Sequence, residues 1–152
     1  MSARTEIEIV ESKSLDPEKV LHYMKNILRP FYSTSILDWK YSNTKEANTA
    51  GLFFMLNENK IISSQGFIPI RLWIEGKSVK SAKSESSFLS SEYRWKGLFE
   101  EPYFKSIEGC KSSDIDIFWS FTMLVKIWKE KLGFNLHNIL YESRLQLSLR
   151  IN

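Results

Sequence analysis

Residues 52–89 constrain the fold more than any other part of the chain. Leu52–Leu56 reads LFFML, a compact apolar run of the kind that forms a strand buried on both faces. Asn57-Glu58-Asn59 then has turn chemistry. Ile61–Trp73 resumes an extended pattern, with Pro69 marking an edge, a bend or a bulge. Glu75-Gly76-Lys77 is a second tight turn, and Ser78–Leu89 completes three consecutive strands. Turns this short join antiparallel neighbours, so a three-stranded meander is expected at the centre of the molecule. The Lys-rich part around Lys77, Lys80 and Lys83 suits either an anionic ligand or a solvated edge.

The flanks supply helices and outer strands. Ile7 and Ile9 alternate with Glu6 and Glu8, as in a short strand. A helix is expected from Pro17 to about Leu28, capped by Ser14 or Asp16 and stopped by Arg29-Pro30. His22 within it reads as a surface residue. Ile36–Tyr41 suggests a second, short helix, with Trp39 as the anchor of a polar loop over Ser42–Thr49. Phe99, Tyr103 and Ile107 recur every four residues on one face of a further helix, which the polar segment Glu108–Asp114 is expected to break. Ile115–Phe121 is strand-forming. Met123–Leu132 returns to helical spacing, with Gly133 at its C-terminal stop, and Leu145–Ile151 alternates as a half-buried strand. The expected class is α+β: a mixed α/β sandwich whose central, mainly antiparallel sheet is flanked by helices.

Size and charge limit the functions. The 152 residues suit one domain, 1–152, with a real core. A net charge of +3 is too weak for a nucleic-acid binder, which concentrates basic charge on one face. With two His and one Cys, Cys110, neither a soft-metal site nor an intramolecular disulfide is expected. No stretch resembles a secretory leader and no apolar run reaches membrane-spanning length, so a cytoplasmic protein without a membrane span is expected.

The chemistry concentrates in Ser90–Phe104, SSEYRWKGLFEEPYF, between the meander and the following helix. The first turn of a helix has unpaired N–H groups and a partial positive charge. Gly97 permits close approach of a ligand to the backbone, and Arg94 and Lys96 add full charges. A pyrophosphate fits that set, and so does an ordinary basic turn.

The order of elements, three antiparallel strands, this turn, then helix, strand, helix and strand, resembles that of the GNAT N-acetyltransferase superfamily. Arg94-Trp95-Lys96-Gly97-Leu98-Phe99 is similar to the family's cofactor loop, [QR]-x-x-G-x-[GA], in its first four positions, with Phe99 at the last. Asp38-Trp39-Lys40-Tyr41 and Lys131-Leu132-Gly133-Phe134 resemble further elements of one subgroup. The resemblance implies acetyl-CoA or another acyl-CoA as cofactor. Its pyrophosphate would lie on the backbone of Arg94, Trp95, Lys96, Gly97 and Leu98, and its pantetheine along Ser87 and Leu89, where neighbouring strands splay. The acceptor implied is an amine of a small molecule or amino sugar. Glu85 is the candidate general base, with Glu92 second, and Tyr141 the candidate donor to the departing thiolate. Cys110 lacks a placed histidine and is set aside as a nucleophile. The terminal strand, as in a shortened member of the family, is expected to complete its sheet in a homodimer. The alternatives are a catalytically silent GNAT-like interaction or regulatory module, and an unrelated α+β binding domain without splayed strands beside residues 85–97.

Overall fold

The computed structural model describes residues 7–41, 51–122 and 125–135. They fall into two compact units that divide after Thr122. The expected loop over Ser42–Thr49, the strand Leu145–Ile151 with its dimer edge, and Tyr141 lie outside the described residues.

The larger unit is a five-stranded sheet in the order β1-β2-β3-β4-β5. Its strands are β1 (Ile7–Glu11), β2 (Gly51–Asn57), β3 (Lys60–Ile74), β4 (Lys77–Leu89) and β5 (Ile117–Trp119). β1 to β4 pair antiparallel, and β5 lies parallel to β4. The two hairpin turns are where the sequence puts them. Glu58 and Asn59 have φ of +48° and +64°, and Glu75 and Gly76 have +49° and +76°, the left-handed pairs that match the twist of a tight hairpin. β2 alternates between two cores. Leu52, Phe54 and Leu56 pack with Val20, Tyr23, Met24, Tyr32 and Tyr41. Phe53 packs on the other face with Phe67, Ala82 and Cys110. A strand buried on both faces needs an unbroken apolar run, which is what LFFML supplies; full burial of a Phe or Met contributes about 1.5–3 kcal/mol.

Helix α1 (Pro17–Tyr23) starts at Asp16, whose Oδ1 accepts the Glu18 N–H at 3.0 Å, and α1 runs on into a π-helical turn over Met24–Leu28. α2 (Thr34–Tyr41) follows. Trp39 on α2 is exposed rather than packed. Pro69 falls two residues past Phe67, the last β3 residue paired with β2 among the described residues.

Two expectations are corrected. α3 (Glu100–Ser112) does not break at Glu108 but runs to Ser112. Glu101, Lys105, Glu108 and Lys111 sit on the solvent side, while Tyr103, Ser106 and Cys110 continue a buried stripe at three- and four-residue spacing. Gly109 lets this stripe approach the sheet, since a Cβ there would stand 3.3 Å from the Phe67 ring. β5 is three residues long instead of seven, because only Ile117, Phe118 and Trp119 meet β4.

In the second unit, α4 (Val125–Leu132) ends at Gly133, with φ of +71°. The Phe134 N–H returns to the Trp128 carbonyl at 3.0 Å, and the two rings stand 4.8 Å apart.

Candidate active site

β4 and β5 pair from Ser81↔Ile117 to Lys83↔Trp119 and then separate. From Ser84 to Leu89, β4 has no partner on the β5 side among the described residues. In the same segment β4 bulges: Ser64 pairs with Phe88 and Gly66 with Glu85, so β4 carries one more residue than β3 opposite it. Ser86, at φ +55°, is the left-handed residue of that bulge. The consequence is a change in side-chain direction. Glu85 and Ser86 both face α2, while Ser84 and Ser87 face α3.

On the α2 face, Glu85 bridges two ammonium groups. Its Oε1 lies 2.5 Å from Lys83 Nζ and its Oε2 3.5 Å from Lys40 Nζ. Lys40 Nζ also donates to Tyr32 Oη at 3.2 Å and stands 5.4 Å from the Tyr32 ring centroid. Ser86 Oγ meets the hydroxyls of Tyr41 at 2.7 Å and Tyr32 at 3.2 Å. Gly66 makes this possible: a Cβ there would be 2.8 Å from Tyr41 Oη. Burial drives the Glu85 carboxyl upward, but hydrogen bonding and charge from Lys83 and Lys40 outweigh it, so its pKa lies below the ordinary 4.5. Burial pushes the Tyr41 hydroxyl well above its usual range, keeping it neutral.

On the α3 face a polar network joins three elements. Tyr103 Oη meets Ser87 Oγ at 2.7 Å and Ser84 Oγ at 3.0 Å. Ser87 Oγ donates to Gln65 Oε1 at 2.6 Å, and Gln65 Nε2 donates to Ser84 Oγ at 3.0 Å and to the Gly66 carbonyl at 2.8 Å. Burial raises the Tyr103 hydroxyl to about 12, so it stays protonated.

The loop from β4 to α3 is short and open. A 3-10 turn over Ser91–Tyr93 is followed by Trp95 at φ +64° and Gly97 at φ +73°. The N–H groups of Tyr93 and Arg94 are used within the turn, bonding to the carbonyls of Ser90 and Ser91. Those of Trp95, Lys96, Gly97 and Leu98 make no hydrogen bond among the described residues. Trp95 is 99% exposed, so its ring fills no cleft. Nothing lies within 4 Å of a Cβ built on Gly97. Lys96 Nζ stands 5.0 Å from the Tyr93 ring centroid, and Phe99 packs against Tyr103 with ring centroids 5.3 Å apart.

The sequence candidates therefore divide. Glu85 and Ser87 stand on opposite faces of the bulge, and Arg94 to Leu98 form the adjoining loop. The Leu89 side chain is buried, opposite Ser63. Glu92 points away to an exposed pair with Lys60 at 2.9 Å. Burial pushes the Cys110 thiol up to about 12, which removes it as a nucleophile at neutral pH. His22 contacts Asn26 at the surface, at 2.9 Å. Sequence reasoning missed Lys40, Tyr32, Tyr41, Gln65, Ser84, Ser86 and Tyr103. The available signal was the density of hydroxyls in Ser84-Glu85-Ser86-Ser87, which is unusual inside a strand. Among the described residues no group of His, Cys, Asp and Glu could hold a metal ion.

No protein-family model and no curated protein matches the chain. Solved structures do. A glucosamine-6-phosphate N-acetyltransferase from Arabidopsis thaliana superposes with a TM-score of 0.71 at 13% identity, covering 93% of this chain and 99% of that one. An aminoglycoside N-acetyltransferase solved in complex with CoA has a TM-score of 0.68 at 12% identity, covering 95% and 99%. A GNAT family acetyltransferase from Staphylococcus aureus has a TM-score of 0.63 at 17% identity, covering 91% and 98%. The similarity extends over nearly the whole of each of these chains: the protein has the GNAT acetyltransferase fold.

Proposed function

We propose that the protein is an N-acyltransferase that moves an acetyl or other acyl group from acyl-CoA to an amine of a small molecule or amino sugar. One observation carries the reading. Among the described residues, four consecutive backbone N–H groups, Trp95 to Leu98, are uncommitted at the entrance to α3, directly beside the stretch of β4 that β5 leaves unpaired. Free N–H groups with flanking cations suit a pyrophosphate, and an unpaired strand edge suits a chain of amides. The residues present thus fit acyl-CoA, with Arg94, Trp95, Lys96, Gly97 and Leu98 at the pyrophosphate and Ser87 and the backbone near Leu89 beside the pantetheine. When bound, it supplies an activated acyl thioester.

Glu85 is the proposed proton acceptor for the amine, standing at the bulge where the strands part. Its pairing with two lysines keeps it ionised but lowers its proton affinity. Tyr141 is the proposed proton donor to the departing sulfur. The ion pairing of Glu85 also favours a second reading, a silent module that binds CoA without turnover.

Isothermal titration with acetyl-CoA tests the reading. Binding is expected, and Gly97→Glu should abolish it, because a carboxylate would oppose the pyrophosphate and a side chain at φ +73° strains the loop, although a Cβ there meets no atom within 4 Å. Absence of heat with the unaltered protein at millimolar ligand removes the cofactor assignment. Binding without thioester consumption across a broad amine panel would move the conclusion to the silent module.

A further inference from the structure

The α2 face of the bulge carries more positive charge than its own carboxylate balances. Lys40 comes from α2 and Lys83 from β4, with side chains only 17% and 28% exposed, and both are directed at Glu85, which is 25% exposed. Among the described residues, the other polar groups turned to this spot are hydroxyls, those of Tyr32, Tyr41 and Ser86. Two ammonium groups therefore share one carboxylate, and among the described residues one positive charge is left over. A single lysine would hold Glu85. A second one, brought from another element into a half-buried place, costs desolvation, and beside the shared carboxylate it meets, among the described residues, only neutral groups, the Tyr32 hydroxyl and ring for Lys40 and the Phe121 ring, 6.0 Å away, for Lys83.

We infer that the acceptor is an amine that also carries an anionic group, a carboxylate or a phosphate, which seats against Lys40 and Lys83 while its ammonium group meets Glu85. The inference rests on the acyltransferase reading above and names the substrate class of that site. Charge matching favours such a molecule, because its anion neutralises the excess cation and its ammonium replaces the lysines around Glu85. Lys40 is the looser partner, at 3.5 Å and shared with Tyr32, and is the one an incoming anion can draw off at least cost. The exchange also prepares the chemistry. Once Lys40 and Lys83 turn to the substrate's anion, the substrate's ammonium takes their place against the ionised Glu85 carboxylate, the contact through which its proton can pass to that oxygen. A simple amine lacks the means to do this, and for it the ion-paired carboxylate remains a poor base.

Matched amines test this: phosphoethanolamine against ethanolamine, and β-alanine against propylamine, with acetyl-CoA as donor. The acidic member of at least one pair should have a kcat/KM higher by about tenfold or more, the scale of one hydrogen bond to a charged group. Lys83→Ala and Lys40→Met should each bring that ratio toward one. Titration of the same compounds into the protein without donor provides a readout independent of turnover, and the acidic member should bind more tightly. The phosphate and carboxylate arms distinguish the two anions. Equal kcat/KM within both pairs, equal affinities, no binding by any of the four, or a ratio that survives both lysine substitutions overturns the inference. Acetyl-CoA binding would still stand in each of those cases. Failure to bind acetyl-CoA removes the underlying reading as well.

Discussion

Glu85 and Lys83 lie two residues apart on one strand, and their charged atoms meet at 2.5 Å on the same face of the sheet. The contact sits at the last pair joining β4 to β5, Lys83↔Trp119. One residue beyond Glu85, the bulge at Ser86 turns the following side chains to the other face. An ion pair, a strand separation and a bulge thus coincide within four residues.

That pairing gives a pH dependence of stability. The folded-state pKa of Glu85 lies below its ordinary 4.5, so the folded protein prefers the ionised carboxyl. The resulting stabilisation is complete above the ordinary carboxylate range and is lost as pH falls through the depressed folded value. Denaturant unfolding should therefore show Glu85→Gln less stable than the parent at neutral pH, with the gap closing in acid. A gap that stays constant from neutral pH into acid would contradict the assignment.

Gly66 lies opposite Glu85 in the β3–β4 register and beneath the Tyr41 hydroxyl. Gly66→Ala sets a Cβ 2.8 Å from that oxygen, so the buried ring has to move and its 2.7 Å contact with Ser86 is lost. A destabilisation of about 1–3 kcal/mol is expected for such overpacking. Pairing the change with Tyr41→Phe in a double-mutant cycle should show clear non-additivity; additive effects would mean that the two residues do not share the contact.

Tyr103→Phe removes the hydroxyl that links Ser84 and Ser87 while leaving the ring in place. The loss should lower stability by about 1–2 kcal/mol, read as a shift of denaturation midpoint at unchanged slope. No measurable shift would show that the remaining Gln65–Ser84–Ser87 bonds suffice to satisfy the network.

Cys110 is buried between α3 and the sheet, and burial pushes its thiol up to about 12. At neutral pH a thiol reagent should label it only as fast as the protein opens, with prompt labelling in denaturant. Fast labelling of the native protein would place the thiol at the surface instead.

Much of the fold was legible in local patterns. The apolar run Leu52–Leu56, the two hairpin turns, the helix start at Pro17 and Gly133 each act through neighbours a few residues away, so the sequence alone determined them. The loop at Gly97 was legible for the same reason, since a strand, a glycine and a helix follow one another along the chain. Other features depended on partners distant in sequence. The length of α3 is set by a buried stripe that meets Phe67 across Gly109, and the shortness of β5 by how far β4 runs beside it. Lys40 and Glu85 are 45 residues apart as numbered in the chain, and only the packing of α2 on the sheet brings their charges together. The bulge at Ser86 decides which way four consecutive side chains point. That is a matter of register between β3 and β4, and register is a property of the paired strands, not of either one read alone.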